Sequence, residues 1–399
     1  MSMHKALIMA GGRGERFWPQ SRVNMPKQCL KILGNTSMVQ TTVDRLLPIF
    51  KKEDIYLVTG HHLQKCISEE CPDIKYVIEP CAKDTAACIG LGILQITQED
   101  PNAIVFIETT DHMYNQNEIY HNHVNAAIEL AKDDKIVLIG IKPSHPHTGF
   151  GYIQQGELYK EVNDISSYNI QEFKEKPDKK TAKEYIDSGD YLWNSGMFIT
   201  KASVMLETMK KYMPDLHEAL MKIKESNFDQ KVLENEFQKL EKISIDYGIM
   251  EKAENTMVIR GEMHWYDIGD WDAMAVVHPK DDRDNIIKAN WKGTASNCII
   301  YGDEERLIKT EGVSDLIIVD TNDSLLICKK GKSQMVKQIV KDIEKENASL
   351  FLDYSTPKKL WIDIKSSNCD MKGDYVIGLI DVHDLRIEKN EKGVTITAL

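Results

Sequence analysis

An α/β fold built on a doubly wound, mostly parallel sheet is predicted for this 399-residue chain by three observations. Short apolar runs alternate with helical patterns up to about residue 141, the sequence signature of parallel strands joined by crossover helices. The first run, Ala6-Leu-Ile-Met-Ala10, empties directly into a glycine-rich turn, the place where a strand of such a sheet ends. Beyond His278-Pro-Lys-Asp-Asp-Arg the pattern changes to short β-like runs separated by Gly, Asn and Asp, which predicts a separate small β-structure.

Met38, Val39, Val43, Leu46 and Leu47 have helical apolar spacing, and Ile55-Tyr-Leu-Val-Thr59 reads as a buried strand. The alternation continues with Tyr76–Glu79 (strand), Thr85–Gln98 (a small-residue helix), Ala103–Glu108 (strand), Glu118–Lys132 (helix) and Ile136–Ile141 (strand). From about residue 150 the pattern is mixed. Gly151–Gln155 and Tyr168–Lys174 read as extended, Lys179–Ser188 as a helix, Met197–Thr200 as a strand, and Lys201–Leu240 as a solvated helical layer. Ile286-Ile287, Cys298–Tyr301, Leu316–Val319 and Leu325–Cys328 read as short strands, with an amphipathic helix over Ser333–Glu346. Runs at Tyr375–Ile380, Leu385–Ile387 and Val394–Ala398 predict a β-type appendage. The expected domains are therefore 1–280, 281–346 and 347–399.

Lys and Arg number 50 against 62 Asp and Glu, giving a net charge of −12. That balance argues against a nucleic-acid-binding surface and makes any local basic cluster conspicuous. No apolar stretch is long enough to span a bilayer, and no secretory h-region is present, so a cytoplasmic protein without membrane association is expected. Eight cysteines are scattered without a Cys-x-x-Cys pair, which suggests reduced thiols and neither a zinc site nor a disulfide framework.

The basic exception is Gly11-Gly-Arg-Gly-Glu-Arg-Phe-Trp-Pro-Gln-Ser-Arg-Val-Asn-Met-Pro-Lys-Gln28. Gly11, Gly12 and Gly14 let backbone N–H groups approach an anion, and Arg13, Arg16, Arg22 and Lys27 supply cations beside them. A P-loop is excluded because no Gly-Lys-Ser/Thr follows. A dinucleotide fingerprint is excluded because Phe17 occupies the place of its small third residue. Downstream, Asp111 follows an apolar strand and Asp267 lies in His264-Trp-Tyr-Asp-Ile-Gly-Asp-Trp271. Asp111 could simply cap a helix or turn, and the tryptophans flanking Asp267 could be core anchors and nothing more, but as a pair the two aspartates suit Mg²⁺, which takes oxygen ligands and shares them with phosphates. Glu175-Lys176-Pro177 ends an extended segment, while Thr148-Gly-Phe-Gly151 and Asn194-Ser-Gly196 read as turns able to meet sugar hydroxyls.

Taken in order, the glycine loop, Pro26-Lys-Gln28, Asp111-His112, Thr148–Tyr152, Glu175–Pro177, Trp193–Phe198, Ser244–Tyr247, Met250–Lys252 and Trp265–Trp271 closely resemble the mannose-1-phosphate guanylyltransferases, within the sugar-phosphate nucleotidyltransferase superfamily. The resemblance covers about residues 4 to 345. It implies a Rossmann-like catalytic domain, a short left-handed β-helix, and the reaction of GTP with mannose 1-phosphate to GDP-mannose and pyrophosphate. It further implies that Ala10, Gly11, Gly12, Arg13 and Gly14 hold the nucleotide, with Asp84 and Thr85 in the base-binding region. Arg16 and Lys27 would neutralise the leaving pyrophosphate, and Lys176 would contact the sugar phosphate and α-phosphate. Gly149, Glu175 and Asn194 would bind the sugar, Asp111 and Asp267 would hold Mg²⁺, and self-association as a homodimer is expected. Several positions depart from the family pattern: Thr109-Thr110 precede Asp111 in place of Pro-Ala, Asp84-Thr-Ala-Ala87 replaces Asn-Thr-Ala-Pro, Tyr266 stands for Ser, and Gly248 for Ala. Alternatives are the same chemistry with another base or sugar 1-phosphate, or a non-catalytic sugar-nucleotide-binding homologue.

Overall fold

The computed structural model describes residues 3–346 and the strand segments 360–364, 370–372, 375–380, 385–390 and 393–398. These divide into two compact units: Met1–Gly11 with Val39–Trp265, and Gly12–Met38 with Tyr266–Leu399.

In the first unit, β1 (His4–Met9), β2 (Ile55–Gly60) and β4 (Ile104–Thr109) are near-continuous apolar runs, as strands covered on both faces must be, and β3 (Lys75–Glu79) is a more exposed edge strand. β5 (His112–Tyr114) is short, and β6 (Ile136–Ile141), β7 (Tyr152–Val162), β8 (Ile165–Lys174), β9 (Tyr191–Lys201) and β10 (Thr256–Gly261) complete the strand set. The nine-stranded sheet has the order β3-β2-β1-β4-β9-β6-β10-β8-β7. Pairing is parallel from β3 to β4 and between β6 and β10, with β9 reversed between β4 and β6. The mostly parallel α/β sheet is thus as expected.

Helices α1 (Met38–Leu46), α3 (Asp84–Thr97), α4 (Asn117–Ala131) and α5 (Lys179–Ser188) follow the predicted positions within a few residues, while α2 (His61–Glu70) was not read from the sequence. α3 carries small residues because it lies close on the sheet: a methyl on Gly92 would fall 2.5 Å from Leu7 Cδ1. Asp178 caps α5 by accepting from the Thr181 N–H at 2.9 Å, and Gly189, at φ 77°, ends it. The Lys- and Glu-rich stretch forms α6 (Ala202–Tyr212), α7 (Pro214–Glu225) and α8 (Gln230–Lys239), whose apolar faces join the core against α3.

β9 corrects the sequence reading. Asn194-Ser-Gly196, expected as a turn, lies inside this strand, where the register against β6 shifts between Leu138 and Gly140. Gly196 takes up the irregularity at φ 74°, a conformation open to glycine.

β11 (Trp265–Asp267) begins on the last residue of the first unit, and in the second unit α9 (Met274–Val277) precedes β12 (Ile286–Lys288), β13 (Asn290–Ser296), β14 (Ile299–Tyr301), β15 (Leu307–Ser314), β16 (Leu316–Asp320), β17 (Ser324–Lys329) and α10 (Val336–Glu346). Ile286, Ile299 and Ile317 stack in register through parallel β12, β14 and β16. β13 pairs in parallel with β15, so the chain coils as in a β-helix. The sequence reading missed β13 and β15, whose Asn-, Thr-, Lys- and Gly-rich runs alternate weakly. They are strands because their few inward residues, Ala295, Ile308 and Val313, meet a common core. The last segments, β18 (Leu360–Ile364), β19 (Asp370–Lys372), β20 (Tyr375–Ile380), β21 (Leu385–Asn390) and β22 (Gly393–Ala398), extend the same sheets, β20 pairing with β17 and β22 with β15.

Cys71, Cys81, Cys88, Cys298 and Cys328 carry free thiols. Cys29 and Cys66 are disulfide-bonded, against the expectation of reduced thiols throughout, since scattered spacing carries no pairing information. No helix among the described residues is long and apolar enough to cross a membrane.

Candidate active site

Two adjacent parallel strands open the site in the sheet unit. Met9 of β1 pairs with Thr109 of β4, and the Thr110 N–H donates to the Met9 carbonyl at 3.3 Å. Ala10-Gly11 and Thr110-Asp111 therefore leave the sheet side by side at its carboxyl edge, where ligands of such sheets bind. Ala10 is locked into β2: its N–H donates to Val58 and its carbonyl accepts from Thr59 Oγ1 at 2.8 Å. Asp111 is part-exposed, its Oδ1 accepting from Thr109 Oγ1 at 2.6 Å and lying 3.8 Å from His112 Nε2.

Beside Gly11 stands a residue that sequence reasoning missed. Glu79, the last residue of β3, is 6% exposed, and a methyl on Gly11 would lie 3.7 Å from its Oε2. Its Oε1 is buried without a hydrogen-bond partner among the described residues. Burial, then the charge of nearby Asp84, pushes its pKa up to about 7. The only sequence signal was a carboxylate ending an apolar strand two residues before Cys81, which is weak. Asp84 is exposed in a left-handed conformation (φ 71°), its side chain accepting from the Thr85 N–H at 2.8 Å. Thr85 Oγ1 accepts from the Ile245 N–H at 2.8 Å, so both predicted base-region side chains brace the start of α3.

A second cluster of the same unit gathers the predicted sugar residues. Glu175, buried, accepts from Lys176 Nζ at 2.5 Å, while Lys176 takes a left-handed backbone (φ 48°) and stays half-exposed. Burial, the largest single influence, works against the Lys176 ammonium, but the hydrogen bond and charge of Glu175 together with the charges of Asp246 and Tyr247 hold its pKa above the usual lysine value. Asn194 Nδ2 donates to Asp246 Oδ1 at 2.9 Å, and Asn194 Oδ1 accepts from the Gly196 N–H at 3.1 Å. Gly151 admits Glu175, since a methyl there would fall 2.5 Å from Oε2. Gly149 is exposed on the neighbouring loop, its N–H donating to His147 Nδ1 at 3.2 Å. His147 stacks on Phe150 at 3.9 Å, and Phe150 meets Trp193 and Trp265 edge-on at 5.2 Å, forming an aromatic wall.

From Gly12 to Met38 the glycine loop belongs to the second unit. Gly14 sits at φ 67° with Lys27 packed against it, where a methyl would fall 2.3 Å from Lys27 Cβ. Gln28 Nε2 donates to the Gly12 carbonyl at 3.0 Å and Ser21 Oγ to the Gly14 carbonyl at 2.8 Å, so the returning segment braces the turn. Phe17 packs edge-on against Trp271 at 5.3 Å, and Trp271 Nε1 donates to the Trp18 carbonyl. The four loop cations separate into different roles. Arg22, read from sequence as part of the anion-binding set, is 1% exposed and paired with fully buried Asp323 at 2.8 Å. Its carboxylate partner lies too far along the chain to be seen in the motif. Lys27 is buried with its ammonium 5.6 Å from the Phe17 ring. Arg13 is exposed and reaches Glu344 at 3.1 Å. Arg16 is exposed, and its Nη1 and both Asp267 carboxylate oxygens converge over Gly269, within 3.6–3.7 Å of where a methyl would stand.

Among the described residues no group of three or more His, Cys, Asp or Glu is arranged to hold a metal.

Residues 5–284 match the family described as nucleotidyl transferase, and residues 294–343 the one described as MannoseP isomerase/GMP-like beta-helix domain. A mannose-1-phosphate guanylyltransferase of Klebsiella pneumoniae is 32% identical over 89% of this chain and 77% of its own length. One from Salmonella montevideo is 34% identical over the same shares. A crystal structure from Thermus thermophilus, described as a mannose-1-phosphate geranyltransferase, superposes with a TM-score of 0.77 at 32% identity, covering 86% of this chain and all of the other.

Proposed function

This chain belongs to the nucleotidyl transferase family and within it to the mannose-1-phosphate guanylyltransferases, and we propose that it joins GTP to α-D-mannose 1-phosphate, giving GDP-mannose and pyrophosphate. The observation that carries the guanine assignment is Glu79, a buried carboxylate with a partnerless oxygen at the first glycine of the loop. Guanine presents two adjacent N–H donors, at N1 and N2, that a single carboxylate can accept together; adenine, uracil and cytosine do not. A charge-assisted pair of this kind offsets the desolvation of the carboxylate.

The sugar phosphate is already an anionic nucleophile, so no general base is required. One of its oxygens forms a bond to the α-phosphorus of GTP as the bond from that phosphorus to the β-bridging oxygen breaks, and pyrophosphate leaves with the electron pair. The protein's task is to align two polyanions and offset their charge. In this reading Gly11, Gly12, Arg13 and Gly14 cradle the triphosphate, Arg16 and Lys27 offset the charge of the leaving pyrophosphate, and Lys176 bridges the sugar phosphate and α-phosphate. Glu175, Asn194 and Gly149 receive the sugar. Asp84 and Thr85 shape the base region through the start of α3, while Glu79 reads the base. Asp111 and Asp267 are the carboxylates that would hold Mg²⁺, which when bound supplies Lewis-acid neutralisation of phosphate oxygens.

The test is pyrophosphate release from a panel of nucleoside triphosphates and hexose 1-phosphates with Mg²⁺. The expected outcome is a strong preference for GTP with mannose 1-phosphate. Preference for ATP or UTP would overturn the guanine assignment, and release with no pair would overturn the enzyme reading.

A further inference from the structure

The segment Ser244-Ile-Asp-Tyr247 carries no role in the mechanism above, yet the fold places it against the sugar residues. Asp246 opens a single π-turn, Asp246–Met250, a backbone irregularity that recurs at functional sites. Its Oδ1 takes the amide of Asn194 at 2.9 Å, while the other end of that amide is held by the Gly196 N–H. Asp246 is part-exposed, so the residue keeps a reachable side. It makes no ion pair among the described residues, although Lys176 is near; that ammonium is taken by Glu175 at 2.5 Å and lies 6.0 Å from the Tyr247 ring. Glu251, on the same turn, accepts from the Glu175 N–H at 3.0 Å and sits 3.6 Å from Lys174.

Charge sorts what this corner can receive. Two carboxylates, Glu175 and Asp246, face one ammonium, Lys176. A phosphate dianion against the carboxylates is repelled, whereas a neutral polyol is not, and ring hydroxyls are donors that carboxylates accept strongly. Phosphate therefore goes to the ammonium and the ring to the carboxylates. Burial and the charge of Glu175 push the Asp246 carboxyl up to about 7, opposed by Lys176 and by hydrogen bonds from its own backbone and the Ser244 side chain.

We propose that Asp246 is a specificity residue of the sugar subsite: its carboxylate accepts a hydrogen bond from one ring hydroxyl of the hexose 1-phosphate while it holds the Asn194 amide in place. This rests on the sugar 1-phosphate reading above. The test is calorimetric titration of mannose 1-phosphate and its 2-, 3-, 4- and 6-deoxy analogues into the full chain, with and without a non-hydrolysable GTP analogue, for the wild type and Asp246→Asn. Pyrophosphate release is followed in parallel. For the wild type, one deoxy analogue is expected to bind about 10- to 100-fold more weakly than mannose 1-phosphate, the scale of a hydrogen bond to a charged group. Asp246→Asn should lose a similar factor for mannose 1-phosphate and no longer distinguish that analogue. Asp246→Glu carries the same comparison if the asparagine variant folds poorly. A uniform loss across all analogues, no loss at all, or no sugar 1-phosphate binding by the wild type would overturn the proposal. Selective binding without pyrophosphate release would keep it and overturn the transfer reaction alone.

Discussion

Buried charge is treated in opposite ways in two regions of this molecule. In the second unit Arg22 and Asp323 are sealed against each other, as are Arg306 and Asp320 at 3.1 Å. Around the open edge of the sheet, Glu79 and Asp246 are carboxylates outside any ion pair among the described residues, both with pKa values pushed up to about 7. The sheet unit has a sealed pair too, Arg45–Glu108 at 3.1 Å, with Glu108 buried in β4 itself. A sealed pair joins two of the protein's own charges and builds structure. A carboxylate left high and unpaired costs the fold stability that a ligand can restore, so closed charges should govern stability and open ones activity.

The largest effect that can break this comparison is on a sealed pair. Asp323→Ala leaves the Arg22 guanidinium buried without its carboxylate and should destabilise the second unit by about 3–5 kcal/mol, read by urea unfolding. An Arg22→Met, Asp323→Leu double variant should recover most of that loss. If the single variant unfolds like the wild type, Arg22 is not a structural cation. Next come the proposed metal carboxylates: Asp111→Ala or Asp267→Ala should lower turnover at least about 10²-fold, the scale of losing a main electrostatic stabiliser, with unfolding nearly unchanged. Near-normal turnover in both would remove them from the metal site.

Glu79→Gln should have the smallest effect on turnover, weakening GTP binding about 10- to 100-fold, as for one hydrogen-bonding charge lost, and reducing preference over ATP. The same variant sharpens the comparison through pH. The folded pKa of Glu79 is raised, so the stability tied to its neutral form is present below the ordinary carboxyl value and lost as pH rises through about 7. Unliganded wild type should therefore lose melting temperature between about pH 5 and 7.5 more steeply than Glu79→Gln. An equal slope in both would mean that Glu79 is not a strained carboxylate. Asp246 acts in the same direction in both proteins and cancels.

Much of this site was legible in the residues themselves. The apolar run into Gly11, Asp111 after β4, and Glu175-Lys176 at the end of an extended segment were each visible from neighbours a few positions away. Glu79 was not, because a carboxylate ending a strand reads the same whether it faces water or a protein wall. Arg22 was misread because the loop's composition is identical whether its guanidinium meets an anion or Asp323. Asn194 was placed in a turn because Gly196 is a turn signal, although here the glycine absorbs a register shift inside β9.

By itself, then, the sequence determined the alternation of strands and helices, the parallel α/β sheet, and the order of motifs that belongs to a family, since all of these rest on periodicities and spacings within one element or between consecutive ones. Only the tertiary structure decided which of the loop's cations are sealed, which strand-end carboxylate has a buried oxygen without a hydrogen-bond partner among the described residues, and that Asp246 stands beside Asn194, one of the predicted sugar residues. Those properties are set by burial and by partners tens to hundreds of residues away, which no local pattern records.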